Sequence, residues 1–209
     1  MPHFDMNQLA LEISSIMILQ AQQIFLCLGD RNTPFDFLHM ESYGEGASIT
    51  EIDPSKIDLD RFPIAQSLFK FYSYAFYPKS INQYDVEESN RIHEFLSGIP
   101  RDDFSGMLRA FPSEEGPFLC LDTLDVADAR ASIDGQNVEL TPELSVRQIA
   151  LLADVTEDTI RNALTEQGEG GLRASPKYVP ARVEVGEARR WLADHPNFRP
   201  TPKMETASC

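Results

Sequence analysis

The side chains of this chain best suited to metal binding or nucleophilic chemistry are four histidines (His3, His39, His93, His195) and three cysteines (Cys27, Cys120, Cys209), and their spacing supports neither role. No two of them form a CxxC or another local metal pair, so each histidine reads as an ordinary satisfied or exposed ring. The cysteines read as inert thiols, Cys27 and Cys120 in core positions, and an odd number without metal spacing suits a reducing compartment. The acidic doublets Glu87-Glu88, Asp102-Asp103 and Glu114-Glu115 look like solvated helix starts and loops. No Walker loop, GxGxxG, GxSxG or HExxH occurs, and Gly168-Glu169-Gly170-Gly171 follows a helical pattern, which makes it a stop and not a phosphate cradle. The expectation is therefore no enzyme, no cofactor and no metal. What remains is a run of hydroxyl, amide and charged side chains between residues 145 and 190.

Two short helices must position those groups. Ser145 can cap the first, in which Ile149, Ala150 and Leu152 point inward. Asp154 sits where the chain must turn. Thr156 can cap the second, with Ile160, Ala163 and Leu164 inward, while Val155 and Ile160 plug the corner and small Ala150 lets the helices cross closely. Beyond the glycines, residues 172–183 can form a short hairpin or wing, and Glu184 to Ala193 returns to a helix with Val185, Ala188, Trp191 and Leu192 inward. In register and order, residues 143–199 resemble the winged helix-turn-helix domain of excisionases and MerR-type regulators. That family usually has Gly at the turn. Asp154 departs from it, although Asp tolerates left-handed backbone better than most residues.

The resemblance implies double-stranded DNA as the partner, with the second helix in the major groove and Thr156, Glu157, Thr159, Arg161 and Asn162 facing bases. Arg161 and Asn162 suit guanine and adenine edges; a good bidentate pair discriminates by about 1–3 kcal/mol. Ser145 would meet the backbone through its hydroxyl and helix-start amides, as would Arg173, Lys177 and Arg182 on the wing and Arg189 and Arg190 on the last helix. Thr156 could likewise reach a phosphate. Between Gly171 and Arg190 five basic residues face two acidic ones, a balance of +3. Against this reading, Glu157 and Asp158 favour the helix dipole but repel phosphate.

The net charge of −15 also looks wrong for a nucleic-acid binder until it is divided. Residues 1–140 carry 9 Lys+Arg against 23 Asp+Glu, a balance of −14, whereas residues 141–209 carry 9 against 10, a balance of −1. The acidity belongs to the front. There, Met6, Leu9, Ala10, Ile13, Met17, Ala21, Ile24 and Leu28 form a helical stripe that Gly29 ends, readable as bundle core or as a dimer contact. Turn signals break up residues 30–60. Further helices are expected at Phe62–Tyr77, Asp85–Leu96, Asp102–Phe111 and Asp122–Ile133, with a short segment at Asn137–Leu140. The aromatic run Phe69 to Tyr77 fits a buried helix better than a ligand pocket.

A hydrophobic share of 42% is enough to bury a core. The first residues lack a basic n-region, and the apolar runs Ile16–Leu19 and Ile24–Leu28 are too short to cross a bilayer, so no membrane anchor is expected. The expected protein is mainly α-helical: an acidic helical domain at 1–140, a winged helix-turn-helix with a small β-hairpin at 141–199, and a flexible tail at 200–209. Its expected role is that of a cytoplasmic DNA-binding transcriptional regulator acting as a homodimer. The alternatives are a protein-interaction module that keeps the winged fold without binding DNA, and a ligand-sensing helical protein.

Overall fold

The structure is a computed structural model that describes residues 5–30, 32–40, 48–80, 83–99, 118–135, 143–166, 171–176 and 180–202. Among these residues the chain is mainly α-helical with one small antiparallel sheet, as the sequence leads one to expect. In order the elements are α1 (Met6–Leu28), α2 (Asn32–Phe37), three single 3-10 turns between residues 49 and 61, α3 (Pro63–Phe76), α4 (Val86–Ser97), α5 (Leu119–Asp134), β1 (Glu143–Ser145), α6 (Val146–Ala153), α7 (Glu157–Thr165), β2 (Arg182–Glu184) and α8 (Val185–Ala193). The expected helix at 102–111 and segment at 137–140 lie outside the described residues. By backbone contacts the described residues fall into two units, one from 5–69 and 92–122, the other from 70–91 and 123–202.

In the first unit, the Asp5 side chain accepts from the Gln8 N–H and opens α1; Gly29 closes it in the left-handed region at φ 68°. Leu9, Ile13, Ile16, Met17 and Ala21 are buried, and α2 and the 3-10 turns pack along the helix. The short apolar runs of the sequence merge into one helix of 23 residues. With a mean hydropathy of 1.5 and half of its most apolar window buried within the fold, α1 is long and apolar enough to cross a membrane by length and composition. The one acidic residue of α1, Glu12, is itself buried, and its carboxylate accepts from the Leu119 and Cys120 N–H groups at 2.9 and 2.8 Å, capping α5 from 107 residues away. Burial raises its pKa against the opposing pull of these bonds.

In the second unit, the aromatic run of α3 fills volume. Phe71 and Tyr74 are fully buried and pack against Tyr84, edge-on and tilted, with ring centroids 5.5 and 5.7 Å apart. Side-chain bonds from Tyr74 to Asp134, and from Tyr84 and Ser89 to Asp128, tie this part of α3 and α4 to α5. Arg130 on α5 is 2% exposed. Its guanidinium donates to the Ala75 carbonyl (2.9 Å), to the Arg199 carbonyl (2.6 Å) and to Thr201 Oγ1 (3.4 Å), and it stacks on the Phe198 ring. Burial pushes its pKa down to about 10, with Asp134 pulling the other way. The chain past α8 is thus fastened to α5 as far as Thr201.

The same unit holds everything from β1 to α8. Gln148 Nε2 donates to the Asp125 carbonyl at 3.3 Å, and the Arg189 guanidinium donates to the Ile133 carbonyl, so α6 and α8 are both bound to α5. The strands pair antiparallel, Leu144 opposite Val183. Thus β2 finds its ladder partner before α6, whereas the sequence pattern predicts a local hairpin at residues 172–183.

Candidate nucleic-acid interface

Ser145 ends β1 and caps α6 in one residue. Its hydroxyl accepts from the Gln148 N–H at 3.1 Å, and Gln148 Oε1 accepts from the Ser145 N–H at 2.9 Å, a reciprocal capping box. Nine residues later Asp154 adopts φ 53° and ψ 50°. The Val155 N–H reaches the Ala150 carbonyl at 3.0 Å and the Asp154 N–H reaches that of Leu151 at 3.4 Å, the paired bonds of a Schellman ending. A left-handed L-residue costs about 1–2 kcal/mol, less for Asp than for most, so Asp154 can take the conformation that favours Gly at a helix end. Thr156 then caps α7, its Oγ1 accepting from the Thr159 N–H at 3.2 Å.

Three residues therefore separate two capped helices, and packing holds the corner. Ile149, Ala150, Leu152 and Ala153 of α6 and Ile160 and Ala163 of α7 are buried, with Leu144, Leu172, Val183, Ala188 and Leu192 contributed by the sheet, the loop and α8. Val155, Leu164, Val185 and Trp191, expected inward, are half-buried; the Trp191 ring stacks on His195 at 5.0 Å. The chain after α7 is folded back by the Leu172 N–H to the Ala163 carbonyl (2.9 Å). The Ser175 N–H to the Arg182 carbonyl (2.7 Å) closes the wing loop at its base.

This arrangement leaves Thr156, Thr159, Arg161 and Asn162 exposed and Glu157 half-buried on α7. Asn162 makes no side-chain hydrogen bond to the described residues. Arg161 is engaged within its own helix: Nη2 donates to Glu157 Oε2 at 2.6 Å and Nη1 to Asp158 Oδ1 at 2.8 Å. Arg147 of α6 lies 4.0 Å from Glu157, so two cations and two carboxylates share this surface. The Glu157–Arg161 spacing of four residues, acid first, is the sequence signal by which this pairing could have been anticipated.

The basic residues expected on the DNA backbone divide by surroundings. Arg173 is exposed and Arg182 half-buried at the two ends of the wing loop, and Lys177 lies outside the described residues. Arg190 forks onto Glu187 at 2.8 and 3.1 Å and donates to the Gly171 carbonyl at 2.8 Å; the pairing holds the Glu187 carboxyl below the usual carboxylate range. Arg189 is turned to the Ile133 carbonyl of α5, and the Ser145 hydroxyl is occupied by its cap. Among the described residues no group of three or more His, Cys, Asp and Glu converges to hold a metal ion. No protein-family model, curated protein or solved structure matches this chain.

Proposed function

We propose that the chain is a DNA-binding regulator in which residues 143–193 act as a winged helix-turn-helix. The observation that carries this reading is the corner at Asp154: a Schellman ending, one intervening residue and a fresh N-cap turn the chain sharply enough to leave the α7 face from Thr156 to Asn162 in solvent. On this reading α7 enters the major groove, with Asn162 toward adenine edges and Arg161 toward guanine, and Arg173, Lys177 and Arg182 of the wing hold the backbone. The regulator works in the cytoplasm as a homodimer whose acidic 1–140 region stays off the duplex through like-charge repulsion, and it performs no catalysis. Two half-sites would then offset the modest affinity of one small basic patch.

A second reading has specific support. Arg161, Arg189 and Arg190 are already engaged by groups of the protein itself, which favours a winged fold that binds another protein instead of DNA. Full-length protein titrated against random and genomic duplexes across a salt series separates the two. The regulator reading predicts a complex whose affinity falls steeply with salt and which Arg173→Ala weakens at every sequence. Absence of binding at about 50 mM salt would leave the protein-binding reading in its place.

A further inference from the structure

Resting on the DNA reading, we propose that Glu157 and Asp158 are specificity determinants: they hold Arg161 away from phosphates and restrict α7 to major-groove edges that satisfy a guanidinium and a carboxylate together. Arg161 meets Glu157 at 2.6 Å and Asp158 at 2.8 Å, and Glu157 is further approached by Arg147 at 4.0 Å. The four charges sum to zero over one side of the α6–α7 corner.

A phosphodiester is the same at every step of a duplex. To bind it, Arg161 must leave two carboxylates, which then face the phosphates unpaired; the acid pair thus opposes the contacts that carry no sequence information. A G·C pair presents different chemistry. Guanine O6 and N7 accept from a guanidinium while cytosine N4 donates to a carboxylate, so the Arg161–Glu157 pair can be bridged by the base pair instead of broken. The sequence consequence is discrimination gained and nonspecific affinity given up.

The test uses the full-length chain, with fluorescence anisotropy on a random-sequence duplex and on duplexes with and without G·C pairs, between about 50 and 200 mM salt. Glu157→Gln/Asp158→Asn should bind the random duplex roughly three- to tenfold more tightly. Its dependence of log affinity on log salt should steepen by about one, as one freed cation meets one phosphate. Its preference for G·C-containing duplexes should shrink. Adding Arg161→Ala to the double variant should abolish the gain. Each single variant should show part of the gain, so a double variant that unfolds does not end the test. Parent binding with no gain in any variant, or a gain that survives Arg161→Ala in the double variant, overturns this inference and leaves the DNA reading standing. No binding by any form overturns the DNA reading itself.

Discussion

Replacing Ile160 by Ala probes whether the α6–α7 corner is held by packing. Ile160 is 0% exposed, on the inward face of a nine-residue helix. So short a helix is not stable alone and depends on its buried face. The substitution removes three carbons, a transfer loss of roughly 2.4 kcal/mol at about 0.8 kcal/mol per buried methylene. The cavity left between α6 and α7 adds to this, for a total near 3 kcal/mol within the usual range of about 2–5. That is a large part of a typical domain stability of about 5–15 kcal/mol. Urea denaturation followed by far-UV circular dichroism measures it, with Ile160→Val expected near 1 kcal/mol as a graded companion. Asn162→Ala, on the exposed face of the same helix, should stay within about 0.5 kcal/mol. Should Ile160→Ala cost under about 1 kcal/mol, or no more than Asn162→Ala, the packing described for this corner is wrong.

Three further outcomes are expected. Ser145→Ala and Thr156→Ala should each cost about 1 kcal/mol in the same assay, because each removes an acceptor for a helix-start amide. Arg130→Met should cost about 3 kcal/mol and expose the segment after α8 to limited proteolysis, since the buried carbonyl of Ala75 and the part-buried carbonyl of Arg199 lose their donor; a change below about 0.5 kcal/mol would contradict the role given to Arg130. Glu12 has its pKa raised above 4.5 in the fold. The favourable contribution of its protonated form is therefore complete below 4.5 and lost as pH rises through the folded value. Parent protein should gain stability relative to Glu12→Gln as pH falls through the folded value toward 4.5, and a constant difference across that interval would refute the shift.

Local signals made much of this fold legible. Asp5 and Gly29 bracket α1, Pro78 follows the end of α3, and Ser145, Asp154 and Thr156 mark the corner by their capping and turn chemistry, all of it within a few residues of chain. Aromatic packing of α3 followed from composition. What escaped depends on residues far apart in sequence: Glu12 capping α5, Arg130 fastening Arg199, and β2 pairing with β1 across two helices. No periodicity encodes such pairings, because they are selected only when the helices pack. At the candidate site the exposed face of α7 was readable from the positions of Ile160 and Ala163. The roles of Arg189 and Arg190 were not, since a basic residue reads alike whether it faces solvent or a buried carbonyl.

If residues 143–193 present α7 and the wing to duplex DNA as proposed, backbone amide NMR of the protein titrated with duplex will locate the contact residue by residue. Shift changes are expected to concentrate at Thr156–Asn162 and in the loop between Arg173 and Arg182 and to diminish as salt is raised. Changes confined to residues 5–99, or none at any salt concentration, would contradict it.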